Sequence, residues 1–240
     1  MCFNATTSLI TFTISLMSSI YLLYNGIYKN NKNDILFGIL VILIGLMQLI
    51  EYFLWNNQKC NKKNHMFSLS IIVVLYLQGI ITSLAYYKLY PNNRFFKSYI
   101  TIPFYILYTI FTGYLLYWLN SKKLCSKPSN KSCRLKWGPY TALSKNYLLF
   151  ITHLFFYNTI GTSIFLEFLL MNNKDICKYL CRFLFLPITA SLALLYVIFV
   201  EINNKFILIN PLKILDYADV FGSLWCFIAV FLGIVGVLHI

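Results

Sequence analysis

Charge is scarce in this sequence. Only 11% of its 240 residues are Asp, Glu, Lys or Arg, about half the share carried by a soluble globular chain. A water-soluble domain of this length is excluded on that ground. Histidine is scarcer still, with three residues far apart at His65, His153 and His239. The multi-histidine zinc site of membrane hydrolases such as ceramidases is therefore not available. Neither HExxH nor CxxC spacing occurs, and no Gly-rich phosphate loop is present. The last apolar run has no lysine to form a retinal Schiff base. The third run ends in Ala85-Tyr86-Tyr87-Lys88, without the acidic-Arg-Tyr motif of seven-helix receptors. No internal repeat is visible, which weighs against an inverted-repeat transporter.

What is present is hydrocarbon. Hydrophobic residues make up 59% of the chain, and the mean hydropathy is +0.69. Apolar runs of about 20 residues, enough to cross a bilayer as helix, occupy 5–28, 35–55, 66–87, 99–120, 147–171, 180–202 and 220–239. They lack the alternation of a membrane barrel strand, and a helix satisfies its own backbone in lipid. The expected fold is all-α: one membrane domain over 1–240, a bundle of seven transmembrane helices. Trp55, Tyr86, Tyr87, Tyr117 and Trp118 stand at run ends, as interfacial anchors do. The first run has no basic n-region, is too long for an h-region and has no clear small-residue cleavage site after it, so it reads as a helix and not a signal peptide. The longest break, 121–146, reads as an ordered surface loop lying in the interface. A short apolar stretch at 206–215, interrupted by Asn210-Pro211, reads as interfacial or re-entrant.

Lys and Arg number 20 against 7 acidic residues. They are spread over short loops and form no basic face, so the expected partner is the lipid bilayer with its anionic headgroups and not nucleic acid. Protein partners and cofactors are not specified. Loops on the N-terminal side hold 12 basic residues, and the other side holds 8 when Arg182 at the start of the 180–202 run is counted with its loops, which favours a cytoplasmic N-terminus. Lys29 and Lys32, at the far end of the first run, favour an external one, and the first helix tips the reading outward. Asn130-Lys131-Ser132 is a glycosylation sequon. If that side is luminal in a eukaryotic cell, Asn130 is expected to be modified and Cys125–Cys133 to be bridged.

An ionisable residue inside a span is costly and marks a candidate site. Glu51 is such a residue, with Gln48 and Trp55 on the same helical face. His153, Cys226 and Cys2 fall in the same leaflet, which follows from the helix count. Glu51 and Gln48 are the candidate catalytic pair, and Cys2, His153 and Cys226 are candidate metal ligands. Each has a plainer reading: a carboxylic acid hydrogen-bonded as packing glue, a satisfied helical histidine, cysteines as small hydrophobes. Gln78 and Asn158 read as interhelical glue, while Glu167 and Glu201 lie near helix ends. One function is a membrane-embedded enzyme or small-solute/proton carrier using Glu51. The alternative is a structural or interaction protein whose polar residues only lock the bundle.

Three segments carry a resemblance. Met1-Cys2-Phe3-Asn4-Ala5-Thr6, the stretch 47–55 with its Gln48, Glu51 and Trp55, and Gly222-Ser223-Leu224-Trp225-Cys226-Phe227 resemble a family of uncharacterised multi-pass proteins of bacteria and large DNA viruses. That family starts Met-Cys-Phe-Ser-Ala-Thr and carries Gln-x-x-Glu-x-x-x-Trp. The resemblance implies a multi-pass fold and draws attention to Cys2, Gln48, Glu51 and Cys226, but it carries no activity. Asn4 departs from the family's Ser. A closed ring of seven helices is expected to turn Glu51, Gln48 and Trp55 inward, with Cys2 and Cys226 beside Glu51.

Overall fold

A computed structural model describes residues 4–91, 101–128 and 134–171, with side chains of the last stretch to residue 160, and helical residues 234 and 237. The elements are α1 Ala5–Tyr28, α2 Lys32–Asn56, α3 Lys62–Leu89, α4 Thr101–Asn120, β1 Lys127–Pro128, β2 Leu135–Lys136, α5 Gly138–Leu143 and α6 Tyr147–Met171. The architecture is all-α, with one two-stranded antiparallel hairpin among the described residues. Helices α1 to α4 are each long and apolar enough to cross a membrane. The apolar runs 180–202 and 220–239 lie outside the described residues, positions 234 and 237 excepted. So do Cys2, Asn130, Cys133 and Cys226.

Asparagine starts the helices and turns the chain. Asn4 Oδ1 caps α1 by accepting from the Thr7 N–H at 2.9 Å, a role that Ser fills equally well. The end of α1 closes with Asn31 N–H donating to Gly26 O at 2.7 Å and Asn30 N–H to Ile27 O at 3.3 Å. Asn30 sits at φ 53°, a left-handed conformation that Asn tolerates better than most residues. Asp34, buried in the first turn of α2, accepts from Asn31 Nδ2 at 2.8 Å.

α1 and α2 then run back antiparallel in close contact. α1 buries Ser8, Thr11, Ser15, Ser18 and Ser19 and turns Ile10, Met17, Ile20, Tyr24 and Ile27 outward. In water that distribution is inside out. In hydrocarbon, large apolar side chains lose nothing by facing lipid, and small residues let two backbones approach. Ser19 Oγ donates to Gly38 O at 2.8 Å, and Ser15 Oγ to Val41 O at 3.2 Å. A Cβ on Gly45 would lie 1.8 Å from Ser15 Oγ. Only glycine fits there.

The 121–146 segment, expected as a surface loop, is largely packed into the protein over its described residues 124–126 and 134–143. Its residues Leu124, Leu135, Trp137, Tyr140 and Leu143 belong to the main apolar cluster with Met47, Leu54, Ile71, Leu115 and Phe150. Asn64, buried in the first turn of α3, holds the Ser126 backbone from both sides: Asn64 Nδ2 donates to Ser126 O at 2.8 Å, and the Ser126 N–H donates to Asn64 Oδ1 at 2.9 Å. The Gly138 N–H donates to Ser126 Oγ at 2.8 Å. A Cβ on Gly138 would press on the Cys125 backbone at 2.9 Å, so the chain passes itself here only as glycine. The segment is a plug in the end of the bundle that carries Asn4. Its cysteine partner also differs from expectation: Cys125 is bridged to Cys60 in the α2–α3 turn, with Cα atoms 5.1 Å apart, and is not available to Cys133.

Candidate functional site

α2 delivers Glu51 to the end of the bundle that the plug closes. The Trp137 indole N–H donates to Glu51 Oε1 at 3.0 Å. Glu51 is 2% exposed, Trp137 1% and Gln48 1%, so this contact is made away from water. One turn back, Gln48 Oε1 accepts from Thr11 Oγ1 of α1 at 3.1 Å. Gln48 Nε2 is buried without a hydrogen-bond partner among the described residues. Trp55 is half-buried against the main cluster.

The plug continues the polar chain. The Tyr140 ring meets the Trp137 ring edge-on at 5.7 Å between centroids. Tyr140 OH and His153 Nε2 are 3.3 Å apart, and the histidine tautomer decides which of them donates. His153 Nδ1 is buried and has no hydrogen-bond partner among the described residues. The Tyr157 ring lies nearly parallel to that of His153, with centroids 6.5 Å apart. Tyr157 OH donates to Gln78 Oε1 at 2.9 Å, and Gln78 Nε2 donates to Leu43 O at 3.1 Å. Contacts therefore run from Glu51 through Trp137, Tyr140, His153 and Tyr157 to Gln78, alternating hydrogen bonds with ring packing.

Glu51 and His153 are thus joined through the plug, with two aromatic side chains between them. Among the described residues no group of three or more His, Cys, Asp and Glu side chains comes together. Cys2 and Cys226 fall outside those residues. Gln78 ties α3 to α2 and α6, whereas the hydrogen bond of Asn158 among the described residues is within its own helix, Nδ2 donating to Leu154 O at 2.8 Å. Sequence reasoning missed Trp137, Tyr140 and the fully buried Arg134, because a lysine-rich segment reads as solvated. The available signal was Trp137-Gly138-Pro139, an aromatic residue ahead of a stiff turn in an otherwise polar stretch.

Buried carboxyl, imidazole, phenol and amide groups can each hold a proton or orient a small polar molecule, while the ring contacts at Trp137–Tyr140 and His153–Tyr157 interrupt any hydrogen-bonded path along the set. A cavity of about 720 Å³ lies elsewhere, between α3 and α4, lined by Tyr76, Ile80, Ser83, Tyr105 and Thr109 among others. Its lining comes from the opposite half of those helices, so it is not the Glu51 site. No protein-family model, curated protein or solved structure matches this chain.

Proposed function

We propose that this is a seven-helix membrane protein that binds a proton or a small polar solute at Glu51, beneath the 121–146 plug, and acts as a carrier. The observation that carries this reading is that two buried nitrogens, Gln48 Nε2 one helical turn from Glu51 and His153 Nδ1 beyond Tyr140, have no hydrogen-bond partners among the described residues. Buried polar atoms of this kind call for water or a ligand. The resemblance of 47–55 to a multi-pass family points to the same turn of helix. Glu51 is the proton acceptor in this reading, and Gln48 and His153 orient the solute. The Cys60–Cys125 bridge lies at the same end as the site, and disulfides persist in oxidising compartments. The site is therefore entered from the outer or luminal side, with the N-terminus on that side.

A second reading is favoured by Gln78, whose amide is satisfied at both ends by neighbouring helices. Here the polar residues only lock the bundle. Proton flux separates the two. Protein reconstituted with a pH-sensitive dye inside the vesicles is expected to pass protons under an imposed potential, and Glu51→Gln to abolish that flux while melting near the wild-type temperature. Wild-type vesicles no leakier than empty ones would exclude proton carriage and leave the small-solute and packing readings, and a Glu51→Gln variant that conducts equally would remove Glu51 from the path.

A further inference from the structure

Contrary to the expectation that the basic residues form no basic face, the one described disulfide lies at the centre of a concentration of positive charge. Lys59, Lys62 and Lys63 flank Cys60, and Lys122, Lys123 and Lys127 flank Cys125, each within three residues of its cysteine. All six are exposed. The acidic side chains described, Asp34 and Glu51, are both buried, so none offers a surface counter-charge. The bridge, with the Asn64–Ser126 clamp beside it, holds two lysine clusters together against their mutual repulsion.

Membrane sidedness sharpens the point. Lysine excess ordinarily gathers on the cytoplasmic side, whereas a disulfide belongs to an oxidising one. This end of the bundle carries both. Of the two, the disulfide is the stronger indicator, because it requires an oxidant and lysine bias is only a statistical preference. The lysines at this end then need a role other than setting topology.

We propose that the disulfide-held lysine cluster is a binding surface for anionic phospholipid headgroups of the adjoining leaflet. The level is right. Lys62 and Lys63 open α3, and Lys122 and Lys123 follow the last residue of α4, where helices leave hydrocarbon. Lys122 Nζ stands 5.0 Å above the Trp118 ring, and Tyr117 beside it is exposed. Trp and Tyr at a helix end mark the headgroup layer. Lysines at such a surface attract anionic headgroups, and the attraction falls off within a Debye length. This surface is separate from Glu51, and its test does not depend on the carrier reading.

The test is lipid retention by the whole chain. The protein is extracted from membranes of mixed phosphatidylcholine and phosphatidylglycerol, and co-purifying lipid is counted by native mass spectrometry. Wild type is expected to retain phosphatidylglycerol over phosphatidylcholine by about tenfold or more, a preference that falls as salt rises. Changing all six lysines to Gln should remove the preference, and changing them to Arg should keep it. The Arg variant and the salt series remain decisive if the Gln variant does not fold. Equal retention of both lipids by wild type, or an undiminished preference in a folded Gln variant, overturns the proposal. So does inorganic phosphate at millimolar concentration displacing the bound lipid fully, which would assign the surface to a free anion.

Discussion

Trp137 and Glu51 are 86 positions apart in sequence, and the energetics of the plug turn on what happens when one of them changes. Trp137→Phe strips a buried carboxyl of a donor, at a cost of about 1–3 kcal/mol, and adds a cavity cost where the second ring was, which a double-mutant cycle cancels. In a Glu51→Leu background the same change has no carboxyl to abandon and should cost less. A thermal double-mutant cycle in detergent reads the difference directly. An interaction energy near zero would mean that the 3.0 Å contact contributes packing only. Tyr140→Phe tests the next contact: it removes the hydroxyl facing His153 Nε2, leaves a second imidazole nitrogen buried, and is expected to destabilise by a similar amount.

At the scale of elements, the apolar runs marked the described helices closely, because about 20 residues of hydrocarbon leave the backbone little choice but helix. Which way each helix faces was less legible. α1 has Leu and Ile around much of its circumference, and its buried stripe is the serine-rich one, opposite to the rule for helices in water. Gly45 and Gly113 show how packing decides what a residue is worth. Gly45→Ala drives a methyl into Ser15 and is expected to cost about 1–3 kcal/mol through overpacking. Gly113 of α4 has nothing within 4 Å of its would-be Cβ, so Gly113→Ala should be neutral or stabilising by up to about 1 kcal/mol from helix propensity. Thermal midpoints of the two single variants test the contrast, and equal shifts would argue against the close α1–α2 approach. The plug was the least legible element. Its five buried apolar residues are irregularly spaced among lysines, and no periodicity brings Trp137 to Glu51; the Asn64 clamp and the bridge to Cys60 do that.

For the molecule as a whole, the disulfide links position in the membrane to stability. It closes a loop spanning 65 residues, worth about 4 kcal/mol in the chain-entropy account for a soluble protein. That figure is an upper bound in a bilayer, where the unfolded chain keeps its helices and explores less space. Its greater use is as a marker, because the bridge, the N-terminus and the plug share one end of the bundle. If that end faces the oxidising compartment, intact cells treated with a membrane-impermeant reductant should release Cys60 and Cys125 to an impermeant maleimide. Without the reductant they should stay unlabelled. In a eukaryotic host, Asn130, whose sequon lies between β1 and β2, should in addition carry glycan removable by endoglycosidase. The background is set with Cys60→Ser/Cys125→Ser, which retains the five other cysteines of the chain and should show no reductant-dependent labelling. Labelling that appears only after the membrane is permeabilised would place the bridged end in the cytoplasm. It would also turn the lysine cluster back into an ordinary positive-inside signal, and with it would fall the reading of Glu51 as a site entered from outside.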